Sequence, residues 1–267
     1  MEKVLALIQQ YQSINFETII DYEKFYNYAI VHHSSSIEGS TLTVNETRLL
    51  LEEDITPKGK PLSHTLMTKD HYVALKFVLD DAASSNSIKP TFINSINALV
   101  MKNTGGIYNT ILGQVDASKG EYRKGNVSAG STYFPSYDKV ISLTTDFVNQ
   151  LDQKLLTVKS DTEILELSFA AHFNLVSIHP FYDGNGRTSR LLMNYIQRRF
   201  KLPLAIVYKE DKVEYFNALQ ESRKLENIAP FNLFMYQQYE KYLVEEINQY
   251  KAMHKKGNQN KGLSFLF

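Results

Sequence analysis

Apolar positions recur at three- and four-residue intervals along most of the chain, the mark of helices that bury one face. Val4, Leu5, Ile8 and Tyr11 share such a face at the start. A second run, from Phe16 to about Glu38, meets a natural stop at Gly39. Thr43 to Glu46 reads TVNE, a capping box that opens a helix holding Leu49, Leu50 and Leu51. A Pro/Gly loop over 55–63 leads to helices over 63–83 and 91–103. Further helices are predicted over 137–156, over 161–177 behind a second capping box (Ser160 to Glu163), from Gly186 onward, over 212–225 and over 230–251. Two stretches break the rhythm. Residues 105–135, rich in Gly, Ser, Thr, Val and Tyr, predict an irregular segment with one short β-hairpin. Residues 201–208 predict a turn and a short extended piece. The pattern predicts an all-α fold, a helical bundle with one small β excursion. Residues 251–267 read as a frayed tail.

Composition narrows the function classes. Of 267 residues, 43% are hydrophobic, enough for a sizeable core. Lys+Arg and Asp+Glu both number 29, and this net charge of zero argues against a general nucleic-acid binder. Cysteine is absent, so thiolate and disulfide chemistry are excluded and a reducing, cytoplasmic setting is expected. Polar residues interrupt the N-terminal twenty positions, which predicts neither a secretory segment nor a membrane span.

The chemistry concentrates in HPFYDGNGRTSR, His179 to Arg190. Asp183, Gly184, Asn185 and Gly186 stand where a loop becomes a helix. A helix start offers unpaired N–H groups and a positive dipole end. Two glycines let that backbone approach an anion closely. Arg187 and Arg190 lie three apart in the first turn, where the dipole disfavours cations; a polyanion between them would resolve this. Asp183 would repel such an anion unless a divalent cation joined them, and Mg²⁺ takes one or two carboxylates plus phosphate oxygens. A neutral His179 facing the cradle could take a proton from a hydroxyl. Each residue alone has an ordinary structural explanation. Together they point to phosphoryl-group chemistry. A metal hydrolase built on His172, His179 and Asp183 is a competing enzyme class, disfavoured because such sites want more ligands.

The stretch resembles the signature of the Fic (filamentation induced by cAMP) family, HPFxDGNGRxxR. Its eight fixed positions from His179 through Arg187 arise by chance on the order of 10⁻⁸ per chain, at roughly one in twenty per position. The resemblance extends over about residues 72–239. It divides the chain into an N-terminal helical region (1–71), a Fic domain (72–250) and a tail (251–267). It implies a helical Fic fold with a hairpin flap and transfer of AMP from ATP, with Mg²⁺, to a Ser, Thr or Tyr hydroxyl of a target protein. By position, His179 would be the base and Asp183 the Mg²⁺ ligand. Gly184, Asn185 and Gly186 would bind the α- and β-phosphates, Arg187 the β-phosphate region and Arg190 the γ-phosphate. The segment 120–135 resembles the flap that lays a target strand over the site. Tyr215, Phe216 and Leu219 fall where the family meets adenine; plain core packing is an equal reading of each.

Ser34 to Gly39, SSSIEG, matches the family's inhibitory pattern [ST]xxxE[GN]. Ser34 and Glu38 share a helix face, and a carboxylate near a helix C-terminus is uncomfortable without a cation. The resemblance implies that Glu38 pairs with Arg190 and keeps ATP misplaced, so that an N-terminal inhibitory helix restrains the enzyme. Other readings stay open: removal of AMP, another nucleotide donor, or an ATP-sensing regulator without catalysis. The sequence also leaves open whether copies of the chain form a homo-oligomer.

Overall fold

A computed structural model describes residues 1–14, 22–84, 86–130 and 132–259, with 253–259 as backbone. Ten α-helices appear among the described residues: α1 (Glu2–Gln12), α2 (Tyr22–Ile37), α3 (Val44–Glu53), α4 (Leu62–Ser84), α5 (Pro90–Val100), α6 (Val140–Leu155), α7 (Asp161–Ile178), α8 (Asn185–Arg199), α9 (Lys212–Lys224) and α10 (Ala229–Gln259). Between α5 and α6 lie β1 (Ile107–Thr110), β2 (Gly113–Asp116), β3 (Ser128–Ala129) and β4 (Thr132–Tyr133). The all-α expectation holds.

Helix α8 is the axis of the fold and packs against α7, α4 and α5. Leu191, Leu192, Met193, Tyr195 and Ile196 are all buried, so the helix is enclosed on every side. An enclosed helix must satisfy its polar groups internally. Asn194 donates to the Ala205 carbonyl at 3.0 Å, and Gln197 donates to Ser168 Oγ at 3.1 Å while accepting from the Ala205 N–H at 2.7 Å. These bonds tie the extended piece at 202–207 to α8 without a sheet. Helix α4 runs through residues 71 and 72 and packs on α2, α5 and α8, joining the N-terminal helices to the remainder.

Both capping boxes form. The Glu46 N–H donates to Thr43 Oγ1 at 3.2 Å and the Thr43 N–H to Glu46 Oε2 at 2.8 Å; Ser160 and Glu163 repeat the pattern at the head of α7. Gly39, at φ 103°, closes the chain after α2 as expected. The predicted start of that helix at 16–21 lies outside the described residues.

Two expectations change. The segment 105–135 holds two antiparallel hairpins rather than one, β1–β2 and β3–β4. The first turns at Ile111–Leu112, with Thr110 opposite Gly113. Its turn carries no Asn-Gly or Asp-Gly pair, the usual short-range hairpin signal, so the pattern concealed it. At the other end α10 continues to Gln259 through residues expected to fray. Lys and Gln are good helix formers and extend a helix already anchored by Phe231, Met235, Tyr239 and Leu243. The apolar end, Phe265 and Phe267, lies outside the described residues.

Candidate active site at the start of helix α8

His179 caps α7. Its N–H donates to the Leu175 carbonyl at 3.0 Å and its backbone sits at φ 53°, in the left-handed region. This turn swings the chain off α7 and back toward α8. The imidazole Nδ1 lies 3.3 Å from the Val176 carbonyl. A carbonyl can only accept, so Nδ1 carries the proton and Nε2 keeps a lone pair. Burial, aided by Arg123 and Arg223, pulls the imidazole down to about 4, against smaller opposing effects of Val176 and Glu38. The ring is therefore neutral at physiological pH, as a base must be. Phe134 covers one face, its ring centre 3.8 Å away at an interplanar angle of 17°.

The turn from His179 to α8 is braced from inside. Asn185 Oδ1 accepts from the Phe181 N–H at 3.0 Å, and its Nδ2 donates to the Phe181 carbonyl at 2.9 Å. The Asn185 side chain thus holds the loop closed, leaving its main chain to face the cradle. Phe181 is buried and stacks on Tyr122. Gly184 stands at φ 78°, where a β-carbon would also fall 2.7 Å from Asn97 Nδ2 and 2.8 Å from Met101 Sδ. Asn97 reaches from α5 to donate to the Asp183 carbonyl at 3.0 Å and Thr188 Oγ1 at 3.2 Å.

The N-cap residue of α8, Gly184, offers no capping side chain, which leaves the positive end of the helix dipole to an anion from elsewhere. The carboxylate of Glu38 stands over it: a β-carbon on Gly186 would lie 2.5 Å from Glu38 Oε1. Arg190 NH2 donates to the same oxygen at 2.6 Å. Arg190 also donates through Nε to Ser34 Oγ at 2.8 Å and through NH2 to the Ser34 carbonyl at 3.1 Å. Ser34 and Glu38 therefore grip one guanidinium from the end of α2. Burial alone would raise the Glu38 carboxyl, but Arg190 and then Arg187 overcome it and hold the group below the usual carboxylate range. Glu38 is ionised at neutral pH.

The two arginines part company. Arg187, fully buried, turns toward α5: NH1 donates to the Val100 carbonyl at 3.3 Å, and NH2 lies 3.1 Å from Met101 Sδ and 3.6 Å from Asp183 Oδ1. Arg190 turns toward α2. Among the described residues each keeps one buried nitrogen without a partner, Nε on Arg187 and NH1 on Arg190, the latter beside Gly186. Buried unpaired donors are costly and call for an acceptor. With the open helix start, they suit a polyphosphate. Asp183 is 56% exposed and accepts from the Gly184 N–H, free to face such an anion. Among the described residues no group of three His, Asp or Glu could hold a metal ion unaided. A single half-exposed carboxylate suits Mg²⁺ that arrives on phosphate oxygens.

Other candidates sort differently. Tyr215 and Leu219 are buried on the inner face of α9, while Phe216 points outward beneath Lys212. The three do not converge on one surface. Tyr215 instead supports the site from behind: its hydroxyl lies 2.8 Å from His172 Nε2 and its ring lies 6.0 Å from the Arg190 guanidinium carbon. His172, wholly buried and committed to Tyr215, does not join Asp183, which removes the ground for the hydrolase. Three contributors escaped the sequence analysis. Phe134 covers His179, Arg123 donates to the His179 carbonyl at 2.8 Å, and Tyr108 of β1 stacks on Tyr182 of the motif at 4.3 Å. Arg123 and Phe134 fall within the flap segment 120–135 and Tyr108 ahead of it, the one signal the sequence offered.

The Fic/DOC family model matches residues 87–197. A curated relative, the protein adenylyltransferase Fic of Aedes aegypti, is 32% identical over 206 residues, 77% of this chain. The chain spans 38% of that relative's length. A Fic-domain signaling protein of Bacteroides thetaiotaomicron superposes with a TM-score of 0.80 at 22% identity, covering 94% of this chain and 96% of that one. Fic-1 of C. elegans superposes with a TM-score of 0.76 at 25% identity, covering 94% of this chain and 72% of that one. A shared helical framework, the matched model and the motif geometry converge: the chain belongs to the Fic/DOC family.

Proposed function

We propose that the protein transfers AMP from ATP to a Ser, Thr or Tyr hydroxyl of a target protein, and that Glu38 restrains the transfer. The observation that carries this reading is the contact of Glu38 with both the open start of α8 and Arg190, 2.6 Å away. A carboxylate there stands in for a phosphate. It satisfies the dipole and occupies the guanidinium that a triphosphate would otherwise engage.

With Glu38 withdrawn, the N–H groups of the cradle and the spare donors of Arg187 and Arg190 would receive the phosphates. Asp183 would hold Mg²⁺, which supplies charge neutralisation on the phosphate oxygens. His179 Nε2 would take the proton from the incoming hydroxyl. The hydroxyl oxygen would bond to the α-phosphorus as the bond to the β-phosphate oxygen breaks and pyrophosphate leaves. Preorganised charge does most of the work in such transfers. The short strands β3 and β4 within 120–135 would present the target segment by main-chain pairing. The lone pair on Nε2 favours this reading over an ATP sensor, which needs no base.

The test is incubation of wild type, Glu38→Gly and Glu38→Gly/His179→Ala proteins with cell lysate and ATP–Mg²⁺, with AMP-modified peptides identified by mass spectrometry. Modified peptides should appear with Glu38→Gly, be scarce with wild type and vanish with the double variant. Equal yields from wild type and Glu38→Gly would refute the restraint. Absence of AMP from every sample, with ATP bound, would refute the transfer.

A further inference from the structure

Arg123 is among the most deeply buried large side chains of the protein, 2% exposed, and among the described residues no carboxylate pairs with it. All of its charge goes to main-chain carbonyls. Nε donates to His179 at 2.8 Å, NH1 donates to Gly125 at 2.9 Å, and NH2 donates to Pro135. Its own N–H donates to the Pro180 carbonyl at 3.0 Å. These carbonyls belong to three stretches of chain. Gly125 and Pro135 flank the β3–β4 hairpin on its two sides, and His179 and Pro180 open the motif loop.

The hairpin cannot fix its own position. Each strand has two residues, with Ser128 opposite Tyr133 and Ala129 opposite Thr132. A ladder so short is marginal by itself, and its placement must come from its base. The base is where the guanidinium sits. Pro135 follows Phe134, whose ring lies on the His179 imidazole. The same cation therefore holds the main chain of His179 and the residue beside the ring that covers it.

We propose that Arg123 is a positioning residue that locks the β3–β4 hairpin to the main chain of His179, so that docking strand and base keep one mutual geometry. The inference rests on the roles given above to His179 and the hairpin. The guanidinium spreads its donors over three nitrogens, one for each carbonyl; a lysine ammonium keeps the charge but gathers its donors on a single nitrogen. The charged groups acting on His179 are Arg123 and Arg223, which oppose its protonation, and Glu38, which favours it. Arg223 lies against Phe134 as well, 5.6 Å from its ring centre, and donates to Ser177 Oγ. It stays in place in the variants below and serves as the internal reference.

The test compares Arg123→Lys and Arg123→Met with wild type in two measurements that need no transfer activity. Amide hydrogen exchange is followed at Ala129, Thr132 and Phe134 and, for reference, along α7 and α8. The His179 imidazole is titrated by NMR. Arg123→Lys should lose protection at the hairpin amides by roughly tenfold while α7 and α8 hold theirs. It should leave the His179 midpoint near its wild-type value. Arg123→Met should lose the same protection and also raise the midpoint by about a unit, since a repelling charge is gone. Unchanged exchange in Arg123→Lys overturns the proposal, because the hairpin is then held elsewhere. Equal loss along α7 and α8 also overturns it, because Arg123 is then a general core support. If Arg123→Met does not fold, the exchange pattern of Arg123→Lys decides alone. A protein that proves unable to transfer AMP can still pass or fail here, so the two readings fail separately.

Discussion

The two sides of His179 are built on opposite terms. On the α8 side every side chain that defines the cradle is buried or bonded: Asn185 clasps Phe181, Asn97 spans two elements, and Ser34 and Glu38 hold Arg190. On the hairpin side the chain is thin and exposed. Tyr133 is 86% exposed, Ile111 at the tip of β1–β2 is 98% exposed, and the strands are two to four residues long. Charge stabilisation demands groups fixed before the reaction begins. Recognition through main-chain pairing tolerates varied partners and gains from an open edge. On the proposed reading the chemistry is held rigid and the recognition adaptable, with His179 at the seam.

Several substitutions would break that contrast or sharpen it. The largest effect belongs to His179→Ala in a Glu38→Gly background, which should cut AMP incorporation by about 10²–10⁴-fold, the usual worth of a positioned base. Retained incorporation would move the base to another residue. Next comes Glu38→Gly itself. Removing a charge-assisted bond worth about 1.5–3 kcal/mol should raise incorporation roughly 10- to 100-fold, read as label transferred from ATP per unit time.

The third is a pH effect confined to the rigid side. His32, His33 and His179 are each pulled down to about 4, burial being the largest cause. An unfolded histidine titrates near ~6.5. Between those values the unfolded chain binds protons that the folded one refuses, so stability falls as pH drops from about 6.5 to about 4. The urea midpoint should follow that course, and it should fall less steeply in a variant with His32 and His33 replaced by Asn. The hairpin segment has no histidine and should add nothing to the slope. Smallest of all is Ile111→Asp at the β1–β2 tip, expected within ~0.5 kcal/mol of wild type in urea unfolding because the side chain touches little.

The helices were legible because their periodicity and caps are local: TVNE and SDTE each specify a helix start within four residues. The motif was legible for a related reason. Its glycines and Asn185 answer the backbone needs of one short turn, as Gly184 at φ 78° shows. What remained hidden depends on contacts distant in sequence. Arg123 meets His179 across 56 positions, and nothing in EYRKG announces it. Which way Phe216 points depends on how α9 is rotated against α10, which its own spacing leaves undetermined. The Glu38–Arg190 contact spans 152 positions and was inferable only through the uncomfortable placement of an acid at a helix end and the family pattern around it.

The left-handed backbone of His179 has a consequence for the choice of inactive control. A β-carbon at such a dihedral costs about 1–2 kcal/mol, and alanine would bear that strain as histidine does. Glycine or asparagine would relieve it. A variant made with either tolerates the bend and is expected to match or outlast the wild type on heating, so thermal robustness would be a poor guide to whether a purified preparation still carries the imidazole.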